Sequence, residues 1–98
     1  MTVDITLGNV NNQATFSTFD TLVTGTGNDT IVVTAQLTGA TVNLGSGTDS
    51  IALANFANTV TLSNTETITG GTSTDILTLG SSIAGGIVDM GAGTDTLN

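Results

Sequence analysis

Four short stretches constrain this chain more than anything else in it. They are Gly25-Thr26-Gly27-Asn28-Asp29-Thr30-Ile31, Gly45-Ser46-Gly47-Thr48-Asp49-Ser50-Ile51, Gly71-Thr72-Ser73-Thr74-Asp75-Ile76-Leu77 and Gly91-Ala92-Gly93-Thr94-Asp95-Thr96-Leu97. Each opens on glycine, places aspartate fifth and puts a branched aliphatic residue seventh. Glycine allows the positive φ that a tight turn needs. The carboxylate then stands at the exit of the turn, where alternating apolar and polar residues begin a strand. One unit therefore reads as turn, acid, strand.

Asp29, Asp49, Asp75 and Asp95 follow one another at two equal short intervals with a longer one between them. A short and a long interval together make 46 positions, and they do so twice, from Asp29 to Asp75 and from Asp49 to Asp95. Residues 3–52 laid over 49–98 without a gap are identical at sixteen of fifty positions. Most other pairs match in kind: Asp20 with Glu66, Leu22 with Ile68, Phe16 with Leu62, Leu44 with Met90. The chain is a tandem repeat. It is expected to form one domain over 1–98, with units at 3–48 and 49–94 and residues 95–98 opening a third.

The residue types say what the repeat is made of. Threonine, valine, isoleucine and leucine dominate, and no proline, cysteine, tryptophan, tyrosine, histidine, lysine or arginine occurs. β-branched residues suit a pleated surface, and no segment has a period of 3.6 residues. With Phe16, Phe19 and Phe56 as the only aromatics, a bulky core is excluded and a thin stack of small aliphatics takes its place. The regular strand pattern and an apolar content of 38% argue against disorder.

Short strands with a turn at every corner fit a solenoid, in which a coil of about 20 residues returns each position one strand spacing higher, roughly 4.8 Å. Apolar residues then form continuous internal ladders, each coil burying its face on the next. The expected fold is an all-β, parallel β-roll or β-helix-like solenoid of about four coils in two 46-residue repeats. Ile31, Val33, Val42, Leu44, Ile51, Leu53, Val60, Leu62, Ile68, Leu77, Leu79, Val88 and Met90 are expected to point inward. The long interval between Asp49 and Asp75 is expected to be a coil enlarged at Thr65–Thr69 or Ala54–Asn58. A β-sandwich of hairpins is the alternative architecture.

The glycine-rich turns resemble the repeats-in-toxin nonapeptide, Gly-Gly-x-Gly-x-Asp-x-aliphatic-x, whose parallel β-roll binds Ca²⁺. Gly25, Gly27, Asp29 and Ile31 match it, as do Gly45, Gly47, Asp49 and Ile51, and Gly91, Gly93, Asp95 and Leu97. In the third turn Gly70 and Gly71 supply the leading pair, and Ser73 replaces the later glycine. The motifs stand singly, where the family runs them in tandem. The 46-residue unit is also similar to the β-strand repeats of large bacterial secreted and surface proteins. These resemblances imply an extracellular or cell-surface, calcium-associated structural module.

A cation also follows from charge alone. The chain carries eight acids and no base, a net charge of −8. If coils stack the four aspartates into one ladder about 5 Å apart, neighbours repel by roughly 3 kcal/mol at an effective dielectric near 20. Ca²⁺, which takes all-oxygen flexible sites, would relieve this with help from turn carbonyls. The metal residues expected are Asp29, Asp49, Asp75 and Asp95, with the turns of Gly25, Gly27, Gly45, Gly47, Gly71, Gly91 and Gly93. The competing expectation is that each aspartate caps its own turn by accepting backbone N–H groups. Asp20 and Glu66 read as solvated, and Asp4 and Asp89 as surface charge.

Other functions lack their residues. No nucleophile–base pair can be assembled without His, Cys, Lys, Arg or Tyr, so no enzymatic activity is expected. The acidic balance disfavours nucleic acid and anionic membranes. No segment reaches the roughly 18 apolar residues of a membrane-spanning helix, and the first residues lack the basic and apolar regions of a signal peptide. Thr59/Thr61, Thr65/Thr67/Thr69 and Thr72/Thr74 fall at different phases of the expected coil, which speaks against the flat threonine array of an ice-binding solenoid.

Ile5 and Leu97 stand two full repeats apart, so the two ends are in phase. The expectation is head-to-tail self-assembly through terminal coils, a heterologous contact that makes a filament; a piece of a longer array is the alternative. Two functional classes remain: a building block of an extracellular filament, surface layer or adhesin stalk, and a calcium-responsive module that folds and spaces other domains.

Overall fold

The computed structural model describes residues 3–83 and 85–98. Eleven strands follow one another: β1 (Asp4–Thr6), β2 (Gln13–Phe16), β3 (Thr21–Val23), β4 (Thr30–Val33), β5 (Thr38–Asn43), β6 (Ser50–Ala52), β7 (Thr59–Ser63), β8 (Thr67–Thr69), β9 (Ile76–Leu79), β10 (Ile87–Asp89) and β11 (Thr96–Leu97). Odd strands form one sheet in the order β1-β3-β5-β7-β9-β11, and even strands a second in the order β10-β8-β6-β4-β2. Every pairing is parallel. The chain is an all-β parallel solenoid, each coil contributing one strand to each sheet.

Register fixes the core. Ala14, Ile31, Ile51, Ile68 and Val88 stack in one inward column. Ile5, Leu22, Val42, Leu62 and Leu79 form a second, and Ala40, Val60, Leu77 and Leu97 a third. The expected inward residues are all buried or packed against this core, and Phe19, Leu22, Leu37 and Ala40 join them. The Phe16 and Phe19 rings meet edge to face with centroids 6.0 Å apart. Burying a side chain such as Leu77 is worth about 1.5–3 kcal/mol, and dry columns of this kind hold the coils in line. Burial thins in the last coil, where Val88 and Met90 are half covered and Leu97 is 49% exposed.

The expected coil count needs correction. Successive partners in a column lie one short coil apart, as Ile51 and Ile68 do, or one slightly longer coil apart, as Ile31 and Ile51 do. One irregularity falls at Thr38. The stack has about five coils, not four, and no coil is as long as the interval from Asp49 to Asp75. That interval is one short coil, ending at Glu66, followed by a half-coil. The strands show why. β1–β5 recur one repeat later as β6–β10, and five is odd. A repeat of five strands in a solenoid with two strands per coil spans two and a half coils, so corresponding strands fall in opposite sheets.

Candidate functional site

That half-turn separates the aspartates expected in one ladder. Asp29 and Asp49 precede β4 and β6 on one edge of the slab; Asp75 and Asp95 precede β9 and β11 on the other. Two ladders replace one. Along the first, the Asn12 N–H donates to Asp29 Oδ1 at 2.9 Å, the Asp29 N–H to Asp49 Oδ1 at 2.7 Å, and the Asp49 N–H to Glu66 Oε2 at 2.8 Å. Along the second, the Leu37 N–H donates to Asn58 Oδ1 at 3.0 Å, the Asn58 N–H to Asp75 Oδ1 at 3.0 Å, and the Asp75 N–H to Asp95 Oδ1 at 2.9 Å. Each carboxylate thus holds the backbone of the neighbouring coil, where turn-capping within its own loop had been the competing expectation.

Glycine makes this stacking possible. Gly25, Gly27, Gly45, Gly47, Gly71, Gly91 and Gly93 all have positive φ. At Gly45 a side chain is excluded twice over: φ is +75°, and an added Cβ would lie 1.7 Å from the Gly25 carbonyl oxygen of the coil beside it. Ser73 occupies the equivalent of Gly27 with φ 77°, a conformation that costs a non-glycine residue roughly 1–2 kcal/mol.

Burial makes the ladders electrostatically unusual. Asp29 and Asp49 are 1% exposed and Asp75 is 0%. One oxygen of each accepts an inter-coil N–H, but Oδ2 of Asp29, Asp49 and Asp75 is buried with no hydrogen-bond partner. Burial pushes the Asp49 carboxyl above its ordinary 3.8, the Asp29 and Glu66 charges push the same way, and the bond from the Asp29 N–H opposes them. Leaving a buried polar group unsatisfied costs about 1–3 kcal/mol, more when it is charged. A proton or a cation answers this need. Among the described residues no three acidic side chains converge on one point, because rungs about 4.8 Å apart bring carboxylates together only in pairs.

One sequence expectation changes here. Glu66 is a rung of the first ladder, not a solvated charge. Asp20 is exposed, as expected of a solvated charge, and also accepts the Val3 N–H at 2.7 Å. Thr59/Thr61, Thr65/Thr67/Thr69 and Thr72/Thr74 do fall at different phases, on β7, around β8 of the other sheet and between β8 and β9, though Thr21, Thr41, Thr61 and Thr78 share one outward column, and Thr38, Thr59, Ile76 and Thr96 the next. Cross-strand threonine pairs are worth a few tenths of a kcal/mol to a sheet, which accounts for them. Asn12 and Asn58 were not singled out from sequence, although each stands one short coil before an aspartate, Asn12 before Asp29 and Asn58 before Asp75. Compared with known proteins, the chain matches no family model, no curated protein and no solved structure.

Proposed function

We propose that this chain is a structural element without catalytic role, a rigid segment of an extracellular bacterial filament, surface layer or adhesin stalk, with coils clamped by Ca²⁺ at the acidic ladders. The observation that carries the reading is the set of orphaned Oδ2 atoms on Asp29, Asp49 and Asp75. The donors fit a hard cation: carboxylate oxygens, stacked turns rich in backbone carbonyls, and no lysine, arginine or histidine to compete. Bound there, Ca²⁺ supplies positive charge and open coordination positions to oxygens that otherwise repel one another. The chain's residues hold the geometry through the inter-coil N–H bonds. The likeness of the turns to repeats-in-toxin motifs points the same way, and suits a module that works outside the cell.

Self-association rests on the sheets. β1 and β2 at one end, and β10 and β11 at the other, are outermost among the described strands. Outermost strands accept further strands, from the same chain or from another copy. Because β1 and β11 are equivalent, two repeats apart and in the same sheet, a second copy can add in phase. Melting in Ca²⁺ and in chelator tests the cation, and electron microscopy in the same two conditions tests the filament. Filaments that shorten without calcium support the building block. Monomers that unfold in chelator and never polymerise favour the alternative, a calcium-responsive spacer.

A further inference from the structure

The half-turn between repeats also shapes the two edges. Along the edge of Asp29, connections 7–12, 24–29 and 44–49 have six residues each, and the next, 64–66, has three. Along the edge of Asp75, 17–20 and 34–37 have four each, followed by 53–58, 70–75 and 90–95 with six. A longer connection stands further out: 53–58 exposes Asn55, Phe56 and Ala57, whereas 64–66 exposes Asn64 alone. Each edge is therefore stepped, and both steps fall at the level of β5 and β6. Where one edge is raised, the other is lowered.

The raised stretches turn no charge outward from Asp29, Asp49 or Asp75, which are buried. Their tips are uncharged and small or polar, except at Val10 and Phe56. These are equivalent residues on opposite edges, 62% and 49% exposed, and both are held outward by braced turns. The Phe56 N–H donates to the Ala54 carbonyl at 2.8 Å, and the buried Asn58 donates Nδ2–H to the Ala54 and Phe56 carbonyls at 3.0 and 2.8 Å. Asn12 braces Val10 in the same way. Side chains fixed on such turns lose little further freedom when a partner covers them.

We propose that these edges dock a second copy of the chain, side by side and pointing the same way, the raised stretch of one edge seated in the lowered stretch of the other. The proposal rests on the building-block reading above, not on the cation, and selects the layer among its assemblies. A stagger of half a coil, about 2.4 Å for rungs about 4.8 Å apart, sets 24–29 of one copy against 17–20 of the next, 44–49 against 34–37, and 64–66 against 53–58. Phe56 then lies over the short 64–66 connection, beside the glycine turn of Gly45 and Gly47. Asn28 faces Asp20. The Asn28 Oδ1 accepts the Thr48 N–H at 2.9 Å, which leaves its Nδ2–H for the exposed Asp20 carboxylate in a chain that has no base to offer. The contact is heterologous and open, so it makes rows. A strip about 24 Å tall, at about 4.8 Å per coil, on a slab 19 Å thick is smaller than the roughly 800 Å² per partner of a standard interface. Isolated pairs therefore come apart on dilution, and rows hold where end-to-end contacts add to them.

Electron microscopy of concentrated protein in CaCl2 tests this. Wild type is expected to form flat sheets with a lateral repeat close to the 35 Å breadth of the slab. Asn28→Asp keeps an acceptor for the Thr48 N–H and sets an acid against Asp20, so lateral order should be lost while the far-UV strand signal persists. Adding Asp20→Asn, which keeps an acceptor for the Val3 N–H, should restore it. Phe56→Ser should also lose lateral order, and it decides the matter if Asn28→Asp does not fold. Sheets unchanged in Asn28→Asp or in Phe56→Ser, or not restored in the double variant, overturn the edge contact. Wild-type filaments without lateral order overturn it too, but leave the building block intact. Monomers at every concentration overturn both.

Discussion

The amide of Asp29 donates to the carboxylate of Asp49 at 2.7 Å, reaching from one coil to the next. The side chain that repels its neighbour electrostatically is also the one that holds that neighbour's backbone. Removing the charge and removing the acceptor are therefore different experiments. In chelator, Asp49→Asn keeps an oxygen for the Asp29 N–H and deletes a buried charge, so Tm is expected to rise. In Ca²⁺ the same variant should gain less from the ion than wild type. Asp49→Ala strands the Asp29 amide and should cost about 1–3 kcal/mol, measured by urea unfolding.

Acid should stabilise the chelated protein over a defined range. Burial raises the Asp49 pKa above 3.8, with Asp29 and Glu66 adding to it. The folded state thus holds this proton more tightly than the unfolded chain does. The penalty of the ionised carboxyl is full above the folded pKa and is relieved as pH falls through it toward 3.8. Thermal melts in chelator from pH 7 downward should show Tm rising over that interval. A Tm that falls steadily from neutrality would remove the buried-charge account.

Two glycines with almost the same φ separate backbone strain from crowding. Gly39 has φ +76° with nothing within 4 Å of an added Cβ, whereas Gly45 has φ +75° and the Gly25 carbonyl in the way. Gly39→Ala is expected to cost about 1–2 kcal/mol, and Gly45→Ala distinctly more. Conversely, Ser73→Gly should stabilise by up to about 1 kcal/mol. Equal costs for the two alanine variants would show that the stacked turns open freely.

The inward columns are expected to respond as a packed core. Ile51 is 2% exposed between Ile31 and Ile68, and Ile51→Ala should cost about 2–5 kcal/mol. Leu53→Asp buries an unpaired charge and is expected to prevent folding, read as loss of the far-UV strand signal.

Strand positions, turn positions and the inward face were legible in the sequence, because each depends on neighbours a few residues away. Alternation around Ile31 and Val33, glycine before Asp49 and the agreement between the two repeats are local or periodic facts, and a parallel stack of short strands is the architecture that satisfies them together. Which edge each aspartate occupies depends on how many strands separate them, and that number is set by the path of the chain around the coil. The sequence shows a long interval between Asp49 and Asp75; only the pairing of Asp49 with Glu66 reveals a full coil plus a half. The same half-turn sends Thr24 and Gly70 to opposite edges. Tertiary structure decided these placements, because the odd count of strands per repeat sets residues that periodicity makes equivalent on opposite edges.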